Sequence, residues 1–118
     1  MVGLFSNPKR RLRKLIQEGE YAEALRFGKS LEKKYSYDPD WFFIIGTIYY
    51  INGDAENTLS YLDKVLEISE YDIEALLLKA SVYLHLKNKE KALDCCEKIR
   101  KIDPKNKAID EILNELED

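Results

Sequence analysis

The chain has 118 residues, 45% of them hydrophobic and 35% charged, the balance of one soluble, helix-rich domain with a modest core. Its longest uncharged apolar run, Trp41 to Ile51, falls short of the roughly 20 residues that a membrane-spanning helix needs. No basic segment precedes an apolar stretch within Met1–Phe5, so no secretion signal is read there and a cytoplasmic location is expected.

Capping residues predict seven helices. Asn7-Pro8 opens the first, 8–17, as an N-cap followed by proline at the first helical position, and Gly19 ends it. The next three span 21–34, 40–51 and 55–68, with Asn52-Gly53 closing the third. Asp72 opens 73–86, then comes 89–101, and Asp103-Pro104 opens 105–117. In the last helix Ile109, Ile112, Leu113 and Leu116 make one apolar stripe that would seal the exposed side of the sixth. Asp110, Glu111, Glu115 and Glu117 face water.

The chain matches itself when slid by 34 residues. Leu12, Gly46 and Ala80 then coincide, as do Leu15, Tyr49 and Tyr83, then Ala24, Thr58 and Ala92, then Leu25, Leu59 and Leu93, then Leu31, Val65 and Ile99. A fixed period of this size means stacked supersecondary units, none able to bury its apolar face alone. The second unit reads Phe42-x2-Ile45-Gly46-x2-Tyr49, then Thr58-x3-Leu62, with Glu70 where proline is usual. The third reads Leu76-x2-Lys79-Ala80-x2-Tyr83, then Ala92-x3-Cys96 and Asp103-Pro104, with Lys79 in an aliphatic position. The first keeps Gly19-Glu20-Tyr21 and Ala24-Leu25 but carries Pro8, Arg11 and Gly28 at three signature places. These units resemble the tetratricopeptide repeat. The resemblance implies a single all-α domain over 1–118, a right-handed superhelical α-solenoid of three helix-turn-helix repeats near 5–38, 39–72 and 73–106, with a capping helix at 107–118.

In arrays of this family the first helix of each pair lines a concave groove. By phase the groove residues are Lys9, Arg10, Arg13, Ile16 and Gln17, then Asp40, Phe43, Ile44, Thr47, Tyr50 and Ile51, then Glu74, Leu77, Leu78, Ser81, Leu84 and His85. Lys9, Arg13, Phe43, Ile44, Thr47, Tyr50, Ile51, Leu77, Leu78, Ser81, Leu84 and His85 form the candidate partner-binding set. The 40–51 helix is uncharged from Trp41 onward, so it wants cover all round. Phe42, Ile45 and Tyr49 are assigned to its own pair and Trp41 and Ile48 to the preceding one, leaving Phe43, Ile44, Tyr50 and Ile51 for the groove. An external peptide or amphipathic helix, a second copy, or Met1–Phe5 could cover that surface. The expected function is a protein-interaction adaptor, with homo-oligomerisation and nucleic-acid binding as alternatives. Lys9, Arg10 and Arg13 would hold an acidic flank of the partner, and Tyr50→Ala with Leu78→Asp would abolish binding while leaving helicity intact.

Relatives that clamp the C-terminal carboxylates of chaperones use Lys, Asn and Arg at places where this chain has Lys9, Arg13, Ile44, Glu74 and Leu78, of which only Lys9 matches the type. Chaperone-tail recognition is therefore not expected. Residues 1–17 carry Lys9, Arg10, Arg11, Arg13 and Lys14 without an acid, but no aromatics interleave with them and the net charge is −3, which disfavours nucleic acid. Basic residues 9–14 and acidic residues 110–118 at opposite ends also allow head-to-tail association as a minor reading. His85 is the sole histidine and no glycine-rich phosphate loop occurs, so neither enzymatic activity nor a cofactor is expected. Cys95 and Cys96 point about 100° apart on a helix and cannot jointly ligate a metal; Cys96 is assigned to the core and Cys95 nearer the surface, open to incidental oxidation. Gln17 is the only glutamine beside abundant Lys, Glu, Ile and Tyr, which reads as a heat-adapted source.

Overall fold

Each helix starts and stops on local chemistry that recurs in phase. The computed structural model describes residues 7–117, in which α1 spans Pro8–Gln17, α2 Tyr21–Ser30, α3 Pro39–Ile51, α4 Ala55–Ile68, α5 Ile73–His85, α6 Lys89–Ile102 and α7 Ala108–Glu117. No strand occurs among the described residues. The side chains of Asn7, Asp54, Asp72 and Asn88 each accept from the backbone N–H three residues on, at 2.9–3.1 Å, satisfying donors that a helix start leaves open. Between the helices of each pair stands a left-handed residue, Gly19, Gly53 and Lys87, with φ of 78°, 76° and 59°. Their N–H groups donate to Ile16, Tyr50 and Leu84 carbonyls, and those of Glu20, Asp54 and Asn88 to Leu15, Tyr49 and Tyr83, closing the same αL turn three times.

Two boundaries differ from the sequence expectation by more than one residue. α2 was expected to reach residue 34 but ends at Ser30. The Gly28 carbonyl, which a continuing helix would offer to Glu32, accepts the Trp41 indole N–H at 2.9 Å, and the Glu32 N–H turns to Lys29 O at 3.2 Å. The last helix begins at Ala108 rather than 105, because Asn106 rather than Asp103 supplies the cap, accepting from the Ala108 N–H at 2.9 Å.

The helices pair as α1–α2, α3–α4 and α5–α6, with α2 against α3 and α4 against α5 joining the pairs, and α1 also touching α3. The array measures 53 × 25 × 21 Å. Within the second pair a Cβ on Gly46 would lie 3.4 Å from Tyr61 Cβ, and Tyr49 stacks on Tyr61 at 5.5 Å, so a small residue beside a large one brings the helices together. In the first pair the sizes are exchanged: Leu12 stands at the Gly46 position, and Gly28 at that of Leu62. A Cβ on Gly28 would meet Leu12 Cδ1 at 3.5 Å and Ile45 Cγ1 at 3.1 Å. This exchange explains why the first unit departs from the signature at position 28, and it means that Ile45, assigned to its own pair, also reaches into the preceding one.

Trp41 is fully buried against the preceding pair, as expected, with Tyr35 stacked on it at 4.4 Å. α7 packs against both α5 and α6. Its buried Ile109, Ile112 and Leu116 stand 34 residues after Ala75, Leu78 and Val82, so the cap behaves as the first helix of a further unit. Cys95 is as buried as Cys96, at 3% and 2% exposure, which corrects its placement near the surface. Burial pushes both thiols up, away from the reactive thiolate.

Candidate functional site

The concave side of α3 is built by a helix that has no charged residue after Asp40. Seven of its residues, Trp41, Phe42, Ile44, Ile45, Gly46, Ile48 and Tyr49, are buried, leaving Phe43, Thr47 and Tyr50 half-buried and Ile51 exposed at 44%. Ile44, expected to face the groove, is 7% exposed and contributes only an edge.

Two clefts open along this side. The first, about 260 Å³, is walled by Arg13 and Ile16 of α1, by Asp40, Phe43, Ile44 and Thr47 of α3, and by Glu74 of α5. The second, about 500 Å³, lies between Tyr50 and Ile51 on one side and Val82 and His85 on the other, with Gly53, Asp54, Ala55 and Thr58 as its floor. Seven of the twelve candidate residues thus gather in two clefts. The floor of the second falls outside the set picked out by phase, since phase places the groove on the first helix of each pair and not on the turn and the start of α4. The small residues Gly53 and Ala55 in phase with that turn were the available signal.

The other candidates are placed less openly. Leu78 is half-buried against the core of the first two pairs, and Leu77 and Leu84 against that of the third pair and α7. The hydroxyl groups in the groove turn inward: Thr47 Oγ1 donates to Phe43 O at 2.9 Å, and Ser81 Oγ to Leu77 O at 3.1 Å. His85 Nδ1 lies 2.8 Å from Ser81 O; a carbonyl only accepts, so Nδ1 carries the proton in this contact. The imidazole also meets Tyr50 edge-on at 6.0 Å, joining the two walls of the second cleft.

Lys9 does not stand open for an acidic flank. Its ammonium pairs with Asp38 at 2.7 Å and Asp40 at 3.4 Å, and the Asp38 hydrogen bond raises its pKa above the ordinary value. Arg13, in the wall of the first cleft, forms no ion pair among the described residues. The reading in which Met1–Phe5 folds over the groove concerns residues outside those described. No helix among the described residues is long and apolar enough to cross a membrane, and none of their His, Cys, Asp and Glu side chains cluster as a metal site.

The family model described as tetratricopeptide repeat matches residues 49–116. No curated protein matches the chain by sequence. Among solved structures, the first tetratricopeptide domain of Spaghetti (RPAP3) bound to the HSP90 peptide SRMEEVD superposes with a TM-score of 0.84 at 17% identity, over 93% of this chain and 88% of that one. The Yersinia enterocolitica type III secretion chaperone SycD, in complex with a peptide of the translocator YopD, gives 0.83 at 13% identity over 98% and 91%. A tetratricopeptide repeat protein from Parabacteroides merdae gives 0.88 at 20% over 93% of this chain and 43% of its own length. The 34-residue period, the thrice-repeated turn and the match over residues 49–116 agree: the chain belongs to the tetratricopeptide repeat family.

Proposed function

We propose that this chain is a protein-interaction module that takes an apolar peptide or one face of an amphipathic helix along α1, α3 and α5. The observation that carries the reading is the uncharged α3, whose Phe43 and Tyr50 remain half-exposed and each border one of two adjacent clefts. Two large apolar side chains of a partner, one per cleft, would bury this surface, and aromatic walls of this kind concentrate binding energy. The similar folds solved with an HSP90 peptide and with a translocator peptide support peptide capture as the mode. An acidic chaperone tail fits poorly, because Lys9 is engaged by Asp38 and Asp40, and Glu74 enters the wall of the first cleft.

Leu78 belongs to a core cluster, so Leu78→Asp would confuse lost binding with lost packing. Tyr50→Ala with Ile51→Glu changes only the mouth of the second cleft. Peptides selected from a displayed random library on the wild-type chain should lose at least about tenfold in affinity for this double variant, with unchanged helicity by circular dichroism. Selected peptides that bind both proteins equally would refute the site.

A further inference from the structure

At both ends of the described array polar and charged residues stand where elsewhere others pack one unit on the next. In α3 the positions leaning on the preceding unit include Trp41 and Ile45, with Ile48 following, all three fully buried. Thirty-four residues earlier the same positions hold the cap residue Asn7 and, within α1, Arg11 and Lys14, all exposed. The Arg11 guanidinium lies over the Phe27 ring at 4.6 Å, on this end of the array. At the other end, the α3 positions that meet its own second helix, Phe42, Gly46 and Tyr49, become Asp110, Asn114 and Glu117 of α7, again all exposed.

The two ends are thereby opposite in sign. Residues 7–17 hold five cations and no acid, and residues 108–118 hold five acids and no cation. Of the five cations only Lys9 has an ion-pair partner among the described residues, and Asp110, Glu111, Glu115 and Glu117 have none. The array is 53 Å long. At physiological ionic strength charges are screened within about 8 Å, so the ends of one molecule cannot neutralise each other.

We propose that a second copy of the chain supplies the missing partner, the basic α1 end of one molecule docking on the acidic α7 end of the next. The contact is heterologous and open-ended, so it builds short linear chains rather than a closed dimer. A polyanion could match α1 but would leave α7 unmatched and would be opposed by the net charge of −3, whereas a second copy satisfies both ends. The docking uses the end faces and does not depend on the clefts of the concave side.

Sedimentation velocity on the full chain tests this at about 20 mM and about 0.5 M salt, conditions that lengthen and shorten the screening distance severalfold. At low salt the mean mass should rise above the 13.8 kDa monomer as concentration increases, and at high salt it should return to that value. Arg11→Glu with Lys14→Glu should leave a low-salt monomer, and so should Asp110→Lys with Glu117→Lys. All four residues are exposed, so the fold is kept, as circular dichroism can confirm. An equimolar mixture of the two variants should associate again at low salt, because each keeps one unaltered end and the two altered ends are complementary in sign. A wild type that stays monomeric at low salt overturns the proposal, as does association that survives high salt or a mixture that remains monomeric. If the monomeric wild type instead binds single-stranded DNA at low salt, α1 is a polyanion site and the docking is likewise overturned.

Discussion

The joint between the first and second pairs and the joint between the second and third are built to one plan from different materials. At the first, Trp41 donates to the Gly28 carbonyl and stacks on Tyr35, and Gly28 leaves room for Ile45 and Leu12. At the second, Ala75 stands in place of Trp41, Leu62 in place of Gly28 and Lys79 in place of Ile45. Lys79 reaches Asp63 of the preceding unit at 2.8 Å. The first joint is thus an aromatic plug with a buried hydrogen bond, and the second an aliphatic seam with a half-buried ion pair. The repeat constrains the combined size of facing residues more than the identity of either, as expected where interiors are packed to crystal-like density.

The plug breaks most readily at Trp41. Trp41→Ala should cost ~3–5 kcal/mol by urea denaturation, because it opens a cavity and leaves the Gly28 carbonyl to find another donor. The glycines sharpen the comparison. Gly28→Ala places a Cβ 3.1 Å from Ile45 Cγ1, tighter than the 3.4 Å nearest contact of a Cβ at Gly46. Gly28→Ala should therefore lose ~1–2 kcal/mol, whereas Gly46→Ala should be neutral or gain up to ~1 kcal/mol from helix propensity.

At the second joint, Lys79→Leu restores the aliphatic that the family prefers. Burial depresses the Lys79 amine, but the hydrogen bond and charge of Asp63 more than reverse this and leave its pKa above 10.5. A raised native pKa means that the stabilisation is fully present below the unfolded value and is lost as pH rises through the native one. The variant should lie within ~1 kcal/mol of wild type at pH 7. Thermal melts at increasing pH should then show wild type losing stability relative to Lys79→Leu only above about pH 10.5. The smallest change falls in the turns. Gly19 and Gly53 adopt positive φ without a Cβ, but Lys87 does so at 59° with one, so Lys87→Gly should raise stability by ~0.5–1 kcal/mol in the same melts.

Helix number, pairing order and turn positions were legible because each depends on residues a few places apart: Asn7 caps its own helix, and Gly53 its own turn. The apolar character of α3 was legible for the same reason. The site was legible in outline only. Phe43, Tyr50, Ile51 and His85 line the clefts, Ile44 lends only an edge to the first, and the α4 residues beneath the second stand outside the set that phase picks out. Periodicity reports which way a side chain leaves its helix, whereas accessibility depends on how far the neighbouring helix stands away.

The amino-acid sequence by itself determined that this chain carries three stacked helix pairs followed by a further helix, since period and caps are local or additive properties of the chain. Only the tertiary structure decided how competing partners were shared. Trp41, 13 residues beyond Gly28, takes its carbonyl and ends α2 early; Asp38 and Asp40, about 30 residues beyond Lys9, take its charge from the groove. Such choices turn on which of several groups comes within hydrogen-bonding reach at 3 Å or so, and that distance is fixed by the packing of whole helices rather than by any run of sequence.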